Sequence, residues 1–367
     1  MGLTALQANS QGLGASVAEY RGTETASRFA DPNTEFAALR ARCGVYDLGY
    51  RAKISLTGGD RVRWLNGMVT NNIRDLAADH GAYAFLLNPQ GHILGDLYAY
   101  NRGESITIDT DSSQLEKILS TFDHYIIMDD VEVENLSEQV TALGITGPKT
   151  REILTQAGFT IAELEPLQVE SASWQGSDCT IARNDDPQFF GYEIWLAPDK
   201  IGQLWDTLLS VGATPVGSEA LELHRIISGM PRYSVDIRER DLPQETEQAR
   251  ALNFNKGCYV GQEIVERIRS RGAVHRKFCG FVADASAVIA PAAKIVAGDK
   301  EVGEITSASV IHAAHRDKTV ALGYIRREAG TPGREVTIGG AKAIAVALPV
   351  SDDALLREEA PLAQRLA

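Results

Sequence analysis

Hydrophobic positions along this chain follow two periods, and the places where one gives way to the other mark out its elements. Ala52, Ile54 and Leu56 alternate with more polar neighbours, which predicts a strand with one buried face. Thr57-Gly58-Gly59-Asp60 follows as a turn, and Val62, Leu65 and Met68 then share one face of a predicted helix. The pattern returns further on. Leu143 and Ile145 lead into Thr146-Gly147-Pro148, and a helix carrying Ile153 and Leu154 comes next. Setting Gly58 against Gly147 also sets Leu65 against Leu154. The same offset sets Leu115 against Leu204 and Leu119 against Leu208, in two later amphipathic helices. Chance alignment of strand–glycine–helix units is the competing explanation, but one offset serves two separated places. The chain therefore reads as a degenerate duplication over roughly 51–123 and 140–212, each half mixing antiparallel strands with helices.

The texture differs at both ends. The first forty residues are largely polar and small, with a helix predicted around Glu35 to Arg42. From Phe278 onward, short apolar runs such as Phe278–Val282, Val320–Ile325 and Val336–Ile338 are separated by glycine and proline turns, which predicts a small all-β barrel. After Pro349 the tail is acidic and then rich in leucine and alanine, as a short helix or a frayed end. The expected class is α+β, with an N-terminal segment over 1–50, the duplicated region and a cysteine-bearing segment over 51–270, a barrel over 271–350 and a tail over 351–367.

Three places carry candidate chemistry. Asn88-Pro89-Gln90-Gly91 is a turn between two predicted strands. On the second strand Leu94, Asp96, Tyr98 and Tyr100 point one way, and Ile93, Gly95, Leu97 and Ala99 the other. A carboxylate among a leucine and tyrosines needs solvent or a partner, so Asp96 is either a site residue or an acid on a wet sheet face. Glu193 lies with Trp195 on one face of the predicted strand around Phe190–Leu196, again as a site residue or as an ordinary strand-surface acid. The third place is Lys256-Gly257-Cys258-Tyr259-Val260-Gly261-Gln262-Glu263. Val260, Ile264 and Ile268 predict a helix from near Val260, with Gln262 and Glu263 in its first turn. A thiol just ahead of a helix N-terminus and near Lys256 gains thiolate character from the dipole and the ammonium. A buried, inert cysteine in a tight loop is the alternative.

Composition narrows the classes. Hydrophobic residues make up 44% and charged residues 23%, as in ordinary soluble globular proteins. The net charge of −13 argues against binding to nucleic acid, whose phosphates need a basic footprint. The run Arg267, Arg269, Arg271, His275, Arg276 and Lys277 reads instead as a solvated helix end and loop. Cys43, Cys179, Cys258 and Cys279 have no CxxC spacing, so neither a zinc knuckle nor a four-cysteine cluster site is encoded, and no metal is expected. Few cysteines, no secretory pattern and no apolar stretch of spanning length point to the cytoplasm without a membrane partner. The Walker loop, the dinucleotide glycine fingerprint and the serine-esterase elbow are missing from the sequence.

The octapeptide resembles the signature of YgfZ-type folate-binding proteins, relatives of the glycine-cleavage T protein (aminomethyltransferase). The likeness extends upstream through Arg225–Ile237 and Leu242-Pro243-Gln244-Glu245, and similarity to the wider superfamily runs from near Gly44 to about Pro349. It implies a T-protein-like folate-binding region, tetrahydrofolate or a one-carbon derivative as ligand, and iron–sulfur client or assembly proteins as partners. By resemblance, Asp96 matches the second of two adjacent aspartates near the reactive end of bound folate, while Gly95 replaces the first. Glu193 matches the glutamate that binds the pterin edge, with Trp195 and Tyr98 as lining. Arg225 matches an arginine of the folate site, or else pairs with Glu222 three residues earlier. Cys258 becomes a candidate reactive or ligating thiol within the motif Lys256, Gly257, Cys258, Tyr259, Gly261, Gln262 and Glu263. The resemblance thus implies an accessory factor for iron–sulfur proteins. A folate-dependent aminomethyl or methyl transferase using Asp96 is the alternative, and a non-catalytic interaction module the second.

Overall fold

The computed structural model describes residues 2–272, 274–312 and 316–356. The end of the tail, 357–367, lies outside the described residues. An N-terminal part holds β1 (Gly2–Leu3), α1 (Gln7–Gly12), β2 (Ser16–Tyr20), β3 (Thr23–Arg28), α2 (Pro32–Ala41) and β4 (Gly44–Asp47). The helix expected at Glu35 opens earlier, because Asp31 accepts from the Asn33 and Thr34 amides and Pro32 is preset for a first turn.

The two halves follow. The first is β5 (Arg51–Thr57), α3 (Arg61–Met68), β6 (Gly81–Leu87), β7 (Ile93–Asn101), β8 (Ile106–Asp111), α4 (Leu115–Tyr125) and β9 (Glu132–Asn135). The second repeats that order as β10 (Thr141–Thr146), α5 (Thr150–Gln156), β11 (Val169–Trp174), β12 (Ser177–Arg183), β13 (Gly191–Leu196), α6 (Pro198–Ser210) and β14 (Thr214–Pro215). Strand order repeats too. The first sheet runs β6-β7-β8-β5-β9 and the second β11-β12-β13-β10-β4-β14, so β4 is inserted where β5 meets β9 in the first.

The aligned glycines do the same work in each half. Gly58 and Gly147 both take positive φ, +93° and +132°, at the turn from strand to helix. A Cβ on Gly58 would lie 2.2 Å from the Asp130 carbonyl oxygen just before β9, and one on Gly147 would lie 2.5 Å from that of Arg42 just before β4. Only glycine meets both demands. Leu65, Leu154, Leu204 and Leu208 are fully buried in the two cores, and Leu115 and Leu119 pack at the edge of the first.

After α7 (Ser218–Ser228) and α8 (Gln262–Arg271), the C-terminal strands close a barrel in the order β15-β18-β17-β16-β19-β20. These are β15 (Arg276–Asp284), β16 (Lys294–Ala297), β17 (Lys300–His312), β18 (Asp317–Arg326), β19 (Glu335–Ile338) and β20 (Ala341–Val346), and α9 (Asp352–Leu356) ends the described chain. Phe281, Ile295, Ile305, Ile325 and Ile338 fill the barrel. Contacts divide the chain into two compact units: Met1–His224 with Ile237–Ala273, and Arg225–Asp236 with Val274–Ala367. Among the described residues no helix is long and apolar enough to cross a membrane.

Candidate functional site

The alternation of β7 decides where its carboxylate goes. Leu97 and Ala99 enter the core of the first half beneath α4, and Asp96 and Tyr98 take the opposite, half-buried face. Tyr83 of the neighbouring β6 donates its hydroxyl to Asp96 Oδ2 at 2.7 Å, and Gln114 Nε2 donates to Oδ1 at 2.7 Å. Burial and then the Asp111 carboxylate raise the Asp96 pKa, against the lowering pull of these two donors and Arg51.

A stripe of rings joins this point to the second half. Tyr83 and Tyr98 have centroids 4.9 Å apart, Tyr98 and Tyr100 stack at 6.5 Å, and Tyr100 meets Trp195 edge-on at 5.1 Å. Trp195 and Glu193 stand two residues apart on β13 and so share a face. The indole Nε1 donates to Glu193 Oε2 at 3.0 Å. Burial and the Asp109 carboxylate raise the Glu193 pKa, while Lys53 and Arg51 pull it down. Asp96, Tyr98, Glu193 and Trp195 are therefore brought onto one continuous face of the first unit.

That face also carries charges the motif reading missed. In the antiparallel register of β5 with β8, Arg51 lies opposite Asp111 and Lys53 opposite Asp109. Lys53 Nζ donates to Asp109 Oδ1 at 2.8 Å and sits 4.9 Å from the centre of the Trp195 ring. Arg51 donates to Asp109 at 3.1 Å and to Asp111 at 2.6 Å, and Arg21 reaches Asp111 at 2.9 Å. Burial alone would raise both aspartates, but the cations overturn it. Arg51 and Lys53 hold Asp109 below the usual carboxylate range, and Arg21 and Arg51 do so for Asp111. Arg250 lies 4.4 Å from the centre of the Tyr83 ring and pairs with Asp185, which also accepts from Tyr98 Oη at 3.3 Å. The signal for Arg51 and Lys53 was present, since the alternation that sends Ala52 and Ile54 into the core puts these two together on the opposite face of β5. Their acidic partners needed the strand register, and the Arg250–Asp185 pair had no local signal.

Most of the octapeptide is engaged in structure. Lys256 does not face Cys258: its ammonium donates to the carbonyls of Asn66, Val69 and Asn71, each at 2.6 Å, capping the end of α3. Burial and the Arg74 guanidinium bring its pKa down to about 7. Helix α8 opens at Gln262 rather than near Val260, because Gly261 takes φ +81°. Gly261 also lies against the Asn88–Gly91 turn, where a Cβ would come 2.6 Å from the Asn88 carbonyl oxygen. Val260 N–H binds the Gly67 carbonyl at 3.0 Å, and Tyr259 is buried. Cys258 is exposed, unlike the other three cysteines. Burial pushes the Cys43 and Cys179 thiols up to about 11. Among the described residues no group of three or more histidine, cysteine, aspartate or glutamate side chains is placed to hold a metal ion.

Arg225 belongs to the second unit. Its guanidinium pairs with Asp236 and donates to the Met230 carbonyl at 3.0 Å and to Ser307 Oγ at 2.9 Å. Glu222, the alternative ion partner, accepts from Tyr20 Oη at 2.7 Å.

A duplicated sheet-and-helix body followed by a closed barrel is the architecture of T-protein folds. The GCVT N-terminal domain family matches residues 6–256, and the glycine cleavage T-protein C-terminal barrel domain matches residues 276–352. The chain belongs to the glycine-cleavage T-protein family. It is similar to the aminomethyltransferase of Rubrobacter xylanophilus, with 26% identity over 329 residues covering 89% of this chain and 87% of that protein. Similarity to the aminomethyltransferase of Streptomyces coelicolor is 27% over 345 residues, covering 90% and 91%. Glycine cleavage system aminomethyltransferase T from Bartonella henselae shares the fold, with a TM-score of 0.86 at 20% identity over 96% of this chain and 98% of that one.

Proposed function

We propose that this protein binds a reduced folate on the polar face of its first unit and acts as a folate-dependent aminomethyl or methyl transferase. The observation that carries this reading is the state of Glu193. It is half-buried, its Oε2 is fixed by the Trp195 indole, and among the described residues no donor holds Oε1. A carboxylate so placed suits the paired N–H donors of a pterin edge. Trp195 and Tyr98 would supply apolar walls, and the names of the similar aminomethyltransferases support the same chemistry. When bound, tetrahydrofolate supplies the nitrogens that accept a one-carbon group. Asp96 is the acid suited to hold or release a proton there, since burial raises its pKa. Calorimetric titration with tetrahydrofolate, its methylene form and dihydrofolate tests the reading. Saturable heat with the reduced forms is expected, and no heat with any of the three would remove it.

A second reading keeps the YgfZ-type role in supporting iron–sulfur proteins, and the exposure of Cys258 favours it. The motif's lysine and second glycine have structural work, whereas the thiol faces solvent. Alkylation followed by mass spectrometry should label Cys258 faster than Cys43, Cys179 and Cys279, which are buried. Cys258→Ser should leave tetrahydrofolate affinity intact while lowering iron–sulfur enzyme activity in cells. Full activity in Cys258→Ser cells would leave the transferase reading alone.

A further inference from the structure

Asp96 is held by more than its carboxylate. The ladder between β7 and β8 runs from Tyr98 opposite Asp109 to Asn101 opposite Ile106, so Asp96 lies beyond its end. Side chains replace the missing strand partners there. Gln114 Oε1 accepts from the Asp96 N–H at 3.0 Å, and Thr110 Oγ1 donates to the Asp96 carbonyl at 2.8 Å. The same glutamine amide donates from Nε2 to Asp96 Oδ1 at 2.7 Å. Gln114 is 2% exposed and ends the short turn Ser112–Gln114 that leads into α4. One buried amide thus grips both the main chain and the carboxylate of a single residue. The space for it comes from Gly95, where a Cβ would stand 2.9 Å from Gln114 Oε1.

We propose that Gln114 is the positioning residue of Asp96, and that Gly95 stands in the strand to admit it. This rests on the reading that Asp96 serves a folate ligand. The groups around Asp96 are Tyr83 from β6, Tyr98 from its own strand, Arg51 from β5, Asp111 from β8 and Arg250 from the segment before the octapeptide. Burial and Asp111 favour the protonated acid, and the donors Tyr83 and Gln114 favour the carboxylate. Gln114 therefore fixes the direction of Asp96 and also helps to set where it titrates.

Gln114→Glu separates these effects with little change of shape. The acceptor facing the Asp96 N–H is kept, while the donor facing Oδ1 becomes a second carboxyl that must share a proton with Asp96. In ligand-free protein the Asp96 midpoint, read by 13C NMR of labelled aspartate with Asp96→Asn for assignment, should rise by about one pH unit or more. The pH dependence of tetrahydrofolate binding should move with it. Gln114→Leu removes both hydrogen bonds and should weaken tetrahydrofolate binding about ten-fold or more. Gly95→Ala displaces the amide and should act in the same way, with the double variant no worse than the worse single. An unmoved Asp96 midpoint in folded Gln114→Glu protein, or additive losses in the double variant, would overturn the proposal. If wild-type protein binds no tetrahydrofolate while the midpoint still moves, the positioning role stands and the folate reading falls.

Discussion

Replacing Asp109 by alanine should cost about 3–5 kcal/mol of folding stability, the usual penalty for stranding a buried charge. Asp109 accepts from both Lys53 and Arg51, and Lys53 and Asp109 are each 1% exposed. Without the carboxylate, Arg51 keeps Asp111, but the Lys53 ammonium loses its hydrogen-bonded acceptor and is left against the face of Trp195 and in the field of Glu193. A cation on a ring does not offset the loss of a charged hydrogen bond in such a place. The paired change Lys53→Met with Asp109→Leu should recover much of the loss, because no lone charge remains. Urea unfolding of the three proteins checks this, and a loss below about 1 kcal/mol in Asp109→Ala would mean that water reaches the pair. The same acids set the response to pH. Asp109 and Asp111 titrate below their ordinary value in the fold, so the stability they add is full above the unfolded carboxyl pKa. It is lost as pH falls through their lowered values. Asp96 and Glu193 titrate above their ordinary values, so they favour the fold when protonated and oppose it once pH rises through those values.

The parts of the fold legible in the sequence were those with local causes. Gly58 and Gly147 share one offset because each must pass a main-chain carbonyl with positive φ, a demand the turn itself imposes. The barrel strands were visible as apolar runs between turn residues because each strand is short and bounded. Asp96 and Glu193 were legible as odd polar residues in otherwise apolar or aromatic strands. Pairings formed by strand register or by loops were not legible. Lys53 meets Asp109 only once β5 and β8 align, and Asp185 meets Arg250 from a distant loop. The octapeptide shows the reverse failure. Its composition suggested a lysine tuning a thiol, whereas Lys256 turns to three carbonyls of the α3 end that nothing in the motif foretells.

Glu193→Gln carries the second large effect. The change keeps size and shape, but an amide offers one acceptor and one donor where the carboxylate offers two acceptors. A pterin edge presents two donors, so one charge-assisted bond is lost and one donor faces another. The expected loss is about 1.5–3 kcal/mol of tetrahydrofolate binding. Stability should change little or rise, since burial and Asp109 oppose the charged form of Glu193 and the neutral amide escapes that opposition. Loss of binding without loss of fold therefore separates a ligand contact from a structural one.

Side-by-side calorimetric titration of wild-type and Glu193→Gln protein with tetrahydrofolate tests most directly whether the Glu193 face of the first unit takes the folate. The wild type should bind saturably, and the variant should bind about ten-fold or more weakly while unfolding at an unchanged or higher urea concentration. Equal affinities in two equally folded proteins would place the ligand elsewhere and contradict a folate contact at Glu193.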